Sequence, residues 1–437
     1  MKGGGQPRVA ILGGGYGGMA AAVELTSRGL AVTVIEAARQ LGGRARKVDY
    51  RGVGLDNGCH ILLGCYRETL RLIDLASPPG HSHRDVLLRL PLELRVCDRL
   101  HLRAARLPAP WHVAGGLLAA RGLTPADKLS ASRFILRLRR NGFRLESDDT
   151  VAALMRQHGQ TGTLAGALWR PLCLAALNTH AEQASAQVFL NVLRDSLGGE
   201  RDASDLLLPR TDLSAVFPER AAAYIGARGG RILPGCAVDT LQPAATGFTL
   251  TAGGRRLDFS HVICALPPRR AAALLRGLSG LAEAVASMEA FTFSPIWSVY
   301  IQYPAPARLP SPMLGLADGL GQWAFDKEKL SGQRGLIGVV ISGNGPHEAL
   351  GQEELARRVH NELKRIMPEL PPPSWSRVIA EKRATIACTP GLRRPPQRTP
   401  VPHLYLAGDY TESPYPATIE AAVRSGVQCA RLMTEKI

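Results

Sequence analysis

The stretch Arg8–Arg44, RVAILGGGYGGMAAAVELTSRGLAVTVIEAARQLGGR, decides the fold. Arg8–Leu12 (RVAIL) reads as a buried strand, Tyr16–Arg28 as a helix with Ala and Val at packing positions, and Ala31–Glu36 (AVTVIE) as a second strand. A β-α-β unit of this length, about thirty residues, closes a right-handed parallel crossover. Between the first strand and the helix stands Gly13-Gly14-Gly15-Tyr16-Gly17-Gly18, a G-x-G-x-x-G loop. Gly13 permits the tight turn, Gly15 lets backbone approach a pyrophosphate, and Gly18 lets helix pack close to strand. The N–H groups at the helix start, Tyr16 and Gly17 among them, then face the phosphates. Glu36 ends the second strand, where a carboxylate accepts both ribose hydroxyls of an adenosine and repels a 2′-phosphate. An adenine dinucleotide other than NADP is expected here.

Working outward, the chain has 437 residues, 45% apolar and 21% charged, which excludes a disordered or collagen-like protein and leaves room for two or three domains. No run approaches eighteen uninterrupted apolar residues, so no transmembrane helix is expected. The opening MKGGGQPRVAIL lacks a signal-peptide pattern, and a cytoplasmic location is expected. The net charge of +16 invites anionic partners. Without a block of five basic residues or a zinc-finger or RNA-binding signature, nucleic acid is not expected, and attraction to an anionic membrane face fits better. The eight cysteines form no C-x-x-C pair and no metal-ligand spacing, so no metal is expected.

Beyond the first unit, the pattern is mostly helical from Thr124 to Leu197. Four short strands, Ala237–Leu241, Phe248–Thr251, Arg256–Phe259 and Val262–Leu266, suggest a meander, followed by one helix over Ala271–Ala290. Phe291–Tyr303, Gln322–Phe325 and Gly335–Ser342 suggest an antiparallel sheet. Glu353–Met367 reads as an amphipathic helix, Leu404–Ala407 as a last buried strand and Ala417–Thr434 as a last helix. Pro304–Pro312 and Pro371–Pro373 read as surface connections.

After Glu36-Ala37 comes Gly42-Gly43-Arg44, and near the other end Leu404–Thr411 (LYLAGDYT) and Tyr415–Ala422 (YPATIEAA). Together with the glycine loop these resemble the FAD fingerprint of the amine oxidase and phytoene desaturase superfamily. The resemblance implies that Gly42, Gly43 and Arg44 lie along the flavin's pyrophosphate and ring. Gly408 and Asp409 would meet its ribityl and pyrophosphate region. Ala417, Thr418 and Ile419 would open a helix toward its pyrimidine, and Val238 would contact adenine through backbone. The stretches Leu55–Gly64 (LDNGCHILLG), Leu168–Thr179 (LWRPLCLAALNT), Ala184–Leu190 and Ser204–Pro209 are similar to the squalene-associated flavoenzymes, the hydroxysqualene dehydroxylases of hopanoid biosynthesis. Cys59 stands where many of that family carry Gln.

The resemblance implies an α/β fold: a Rossmann-type FAD-binding domain, assembled from 1–75, 215–275 and 385–437, with an inserted α+β substrate domain from 76–214 and 276–384. It implies FAD as cofactor, an apolar C30 allylic alcohol as substrate, and a separate electron donor whose class no residue pattern specifies. Replacing hydroxyl by hydrogen needs one proton and one hydride, the latter from reduced flavin in a dry pocket. Leu172–Leu177 and Val188–Leu193 are candidate linings, and Trp297 and Trp323 candidate walls. His60 and Asp195 are the candidate proton sources, with Asp56, Asp205 and Asp212 in the same family-like stretches. Arg170 and Arg194 either orient groups or pair with carboxylates. Leu107–Ala120 (LPAPWHVAGGLLAA), too short to span a bilayer, is a candidate for peripheral contact at the inner membrane face. The competing readings are a carotenoid-type desaturase, a flavin amine oxidase, a nicotinamide enzyme with one Rossmann unit, and a lipid carrier that keeps flavin as a structural part.

Overall fold

The computed structural model describes residues 7–304 and 306–435. Residues 1–6, read above for a leader pattern, Ala305 in the expected Pro304–Pro312 connection, and residues 436 and 437 lie outside it. At the centre is a parallel sheet of five strands: β1 (Val9–Leu12), β2 (Val32–Glu36), β3 (Arg231–Pro234), β4 (His261–Cys264) and β5 (Leu404–Leu406), in the order β3-β2-β1-β4-β5. Every neighbouring pair runs parallel. All four residues of β1 are buried, as a central parallel strand covered on both faces must be.

The helix Tyr16–Ser27 follows β1 and is buried on all sides from Tyr16 to Thr26, because it lies between the sheet and the closing helix, Ile419–Thr434. Small residues make that sandwich possible. A Cβ added to Gly426 would stand 2.1 Å from the Gly17 carbonyl oxygen, and one on Gly18 would stand 2.0 Å from that of Gly13. Gly13 itself has φ +108°, outside the range comfortable for side-chain-bearing residues.

Two sequence expectations are corrected around this sheet. The meander has three strands, Val238–Ala244, Gly247–Ala252 and Arg255–Phe259; the expected fourth is β4 of the parallel sheet. The expected helix over Ala271–Ala290 is two helices, Pro268–Leu275 and Ala282–Glu289, parted where Gly280 takes φ +84°.

A second sheet has seven strands, in the order Trp375–Ile386, Phe293–Gln302, Leu336–Ser342, Trp323–Asp326, Met313–Gly315, Glu93–Val96 and Leu100–Arg103. The helix Gln352–Ile366 covers it through Leu355, Val359 and Leu363, all fully buried. The helical region packs Phe134, Trp169 and Phe189 into a core beside this sheet. Leu172, Leu177, Val188 and Leu193 belong to that core or pack against it, as does Trp323, while Trp297 lies in the core under the covering helix. No helix among the described residues is long and apolar enough to cross a membrane.

The crossing of the two central helices carries a testable consequence. Gly426→Ala forces the helices apart at Gly17 and lowers stability by about 1–3 kcal/mol, the usual cost of overpacking. A thermal midpoint equal to wild type would show that the crossing relaxes freely.

Candidate active site

Three glycine-bearing turns from distant parts of the chain meet at the C-terminal ends of the parallel strands, the place where open α/β sheets bind ligands. The Gly42 N–H donates to the Gly14 carbonyl (2.9 Å), and Gly15 pairs with Gly42 as an isolated parallel bridge. A Cβ on Gly43 would stand 3.3 Å from the Gly15 Cα, and one on Gly17 would stand 3.6 Å from the Gly408 nitrogen. Arg44 reaches across the junction: Nη2 lies 2.5 Å from Asp409 Oδ1, and Nη1 donates to the Ala384 carbonyl at 2.7 Å. The Gly408 N–H donates to Ser425 Oγ (2.7 Å), which fastens this turn to the closing helix.

Glu36 sits where β2 ends. Its Oε2 accepts from the Gly14 N–H at 2.6 Å and its Oε1 from the Ala38 N–H at 2.7 Å, so the carboxylate is held against the glycine loop. The Cys236 and Gly235 N–H groups donate to the carbonyls of Glu36 (2.8 Å) and Ala38 (3.0 Å), which brings the start of the Val238 strand to the same edge, next to exposed Ala37. At the other end Thr418 caps the closing helix by accepting from the Ala421 N–H at 3.2 Å, with Ala417 buried before it and Ile419 as the first helical residue. Tyr16 differs from its neighbours. Its hydroxyl donates to the Leu213 carbonyl at 2.8 Å and its ring packs on Phe217, so its side chain belongs to the core and only its backbone remains at the loop.

This cradle suits a dinucleotide. A Cβ on Gly15 would meet only the Gly43 Cα, at 4.0 Å, so the loop is open on that side. Helix-start N–H groups have no intrahelical partner and favour an anion. The Glu36 carboxylate stands at the end of β2 beside the loop, and the Arg44 guanidinium at the junction.

Comparison with known proteins agrees with this geometry. Residues 16–434 match the family model of flavin-containing amine oxidoreductases. A hydroxysqualene dehydroxylase of Rhodopseudomonas palustris is 32% identical over 97% of this chain and 98% of its own. The chain belongs to this family, in the hydroxysqualene dehydroxylase branch. A second member of the branch, from Sinorhizobium fredii, is 31% identical over 97% of both chains. A zeta-carotene desaturase of Capsicum annuum is 24% identical over 97% of this chain and 80% of its own. The solved structure of an oxidoreductase from Methanosarcina mazei superposes with a TM-score of 0.75 at 16% identity, covering 98% and 100% of the two chains, and so shares the fold. As a family member the chain is an FAD-dependent oxidoreductase.

The candidate proton sources occupy different surroundings. His60 Nδ1 lies 2.7 Å from the Gly58 carbonyl, which fixes the proton there and leaves Nε2 free. Burial, more than any neighbour, pushes the imidazole below its ordinary pKa. Asp195 stands elsewhere, on the helix Ala186–Leu197. One of its oxygens takes a hydrogen bond from the Tyr415 hydroxyl, the other lies 2.7 Å from Arg194 Nε, and Arg424 stacks on the Tyr415 ring at 4.9 Å. Asn191, on the same helix, donates to the Pro414 carbonyl (2.8 Å) and Arg394 to that of Tyr415 (2.8 Å). Asp195 is thereby held beside the turn that enters the closing helix. Burial first, and then the bond to Asp195, raise the Tyr415 phenol above its ordinary value. The other carboxylates have local tasks: Asp205 pairs with Arg89 at 3.1 Å, and Asp212 caps a short helix at the Ala215 N–H. Arg170 pairs with Glu182 at the surface.

Sequence reading did not find Lys327. It is 5% exposed, and its Nζ lies 3.6 Å from Asp56 Oδ2, itself buried. Asp56 Oδ1 accepts the Leu213 N–H (2.8 Å), and the Tyr300 hydroxyl donates to the Asp56 carbonyl (2.9 Å) and touches Cys59 Sγ at 3.4 Å. Burial raises the Asp56 carboxyl, and Lys327 only partly restores it. Cys59 is thus a packed side chain with its thiol pushed up by burial. The cluster pins the 56–60 turn beneath the junction. Lys327→Met strands the Asp56 charge and costs about 3–5 kcal/mol, much of which Asp56→Asn on the same chain restores. Equal denaturant midpoints for Lys327→Met and wild type would show that the pair carries no stability.

Proposed function

We propose that this protein replaces the hydroxyl of hydroxysqualene by hydrogen to give squalene, working against a membrane face. The observation that carries the reading is the meeting of the Gly13–Gly18, Gly42–Arg44 and Gly408–Asp409 turns at one junction in a chain whose relatives at about 30% identity and near-full length include hydroxysqualene dehydroxylases. In this reading Gly13, Gly15, Gly17, Gly18 and the backbone of Tyr16 hold the FAD pyrophosphate. Glu36, Ala37 and Val238 hold the adenosine, Gly42, Gly43, Arg44, Gly408 and Asp409 the ribityl side, and Ala417, Thr418 and Ile419 the pyrimidine. The nucleotide part comprises 1–75, 215–275 and 385–437, and the substrate part the remainder.

Bound and reduced, the flavin supplies a hydride to the allylic carbon. The chain's own task is the other half of the exchange. The carbon–oxygen bond breaks, and one proton joins the departing hydroxyl to make water. Asp195 and Tyr415 form the pair that holds and passes this proton. His60, neutral, presents Nε2 as an orienting acceptor.

Two measurements follow. Glu36→Ala and Asp409→Ala each weaken FAD retention on gel filtration by about tenfold or more, as loss of a charge-assisted contact does; unchanged retention in both removes the binding roles. Under anaerobic conditions, photoreduced holoenzyme given hydroxysqualene yields squalene by mass spectrometry. Asp195→Asn, with FAD still bound, lowers turnover about a hundredfold; wild-type turnover in that variant removes the proton role. The likeness to a zeta-carotene desaturase supports the second reading, in which hydride leaves the substrate. A carotene precursor oxidised while hydroxysqualene stays untouched would favour it.

A further inference from the structure

Five large apolar side chains stand exposed among the described residues, and all five fall between residues 107 and 136: Leu107, Trp111, Leu118, Leu129 and Leu136, each 45–64% exposed. Trp111 and Leu118 are seven residues apart on the helix Trp111–Ala119, and Leu129 and Leu136 seven apart on the helix Pro125–Arg140. Seven residues is nearly two full turns, so each pair shares one face. The two helices pack together, and Lys128 Nζ donates to the Leu118 carbonyl at 2.8 Å, which sets Leu118 beside the first turns of the second helix. Their inward faces are already satisfied: Val113, Leu117, Ala131, Phe134 and Leu138 lie in the core. The helix Trp111–Ala119 is therefore apolar on two sides, where a surface helix is ordinarily polar on the outer one, and the outer face of Pro125–Arg140 sets Leu129 and Leu136 among the exposed Arg133 and Arg140.

The charge around this face selects its partner. From Arg103 to Arg144 the chain carries nine basic residues against the single acid Asp127. Arg121, Arg133, Arg137 and Arg140 are exposed there. Next to Leu107, an open hollow of about 440 Å³ is lined by Arg106, Leu107, Pro108 and Arg201. A second copy of the chain would bring like charge against like and is disfavoured. An anionic bilayer meets each feature: Trp and Leu enter the headgroup–acyl boundary, and arginines meet lipid phosphates.

The geometry points to an anionic phospholipid bilayer as the partner of this two-helix face, with Trp111, Leu118, Leu129 and Leu136 entering the interface and the Arg106–Arg201 hollow taking a lipid headgroup phosphate. This rests on the membrane contact of the proposed function and gives it a surface and a lipid class. The test uses the FAD-bound protein and co-sedimentation, without substrate, with vesicles of phosphatidylcholine alone or mixed with phosphatidylglycerol. Wild type sediments with the mixed vesicles, binds pure phosphatidylcholine at least tenfold less, and is released by raised salt. Trp111→Ser combined with Leu136→Ser lowers partitioning into mixed vesicles at least tenfold, and Arg106→Gln with Arg201→Gln weakens the salt-sensitive part; retained flavin absorbance reports that both variants are folded. Equal binding to both vesicle types, undiminished binding of the apolar variant, or self-association that this variant abolishes overturns the assignment. Turnover of hydroxysqualene presented in detergent micelles is scored separately, so that loss of docking and loss of the reaction are told apart.

Discussion

The architecture hangs on one close crossing. The closing helix lies on the first helix with Gly426 over the Gly17 carbonyl, at a separation that no side chain could share. This contact carries the Leu404–Gly408 strand and turn to the glycine loop, and Ser425 Oγ then holds the Gly408 N–H in place. Arg44 and Asp409 can meet only because the backbones have already been brought that near. The arrangement is economical in sequence terms: small residues do the positioning, and the few charged ones, Glu36, Arg44 and Asp409, are left at the junction.

Such a plan explains which parts of the molecule could be read from its residues. The βαβ unit announces itself because its period, its glycines and its terminal acid are local. β3 does not, because Arg231-Ile-Leu-Pro is four residues on an outer edge with exposed ends and shows no alternation. The strand Trp375–Ile386 is hidden for a related reason: it lies at the edge of its sheet, and its Arg, Glu and Lys residues mask the period of two. The split of the expected helix after Leu275 was written in Gly277 and Gly280, but single glycines are also tolerated inside helices.

The site shows the same division. The cofactor motifs could be found because each is a short string, although only the folded chain shows them meeting. The Asp56–Lys327 pair and the Asp195–Tyr415 contact join residues more than two hundred positions apart and leave no local trace. For His60 the residue type alone suggests titration near neutrality, whereas burial, visible only in the fold, pushes its pKa down. Tyr16 sat inside the fingerprint, yet its ring went to Phe217. Residue identity narrows the chemistry a side chain can perform, and its surroundings decide whether it performs it.

The order β3-β2-β1-β4-β5 also bears on how the chain is made. β4 is synthesised long before β5, so its outer edge has no partner until residues 404–406 have left the ribosome. Until then an open row of backbone donors and acceptors invites pairing with other nascent chains. A polypeptide cut short before residue 404 would emerge with a permanently unfinished edge, a natural target for chaperones and proteases.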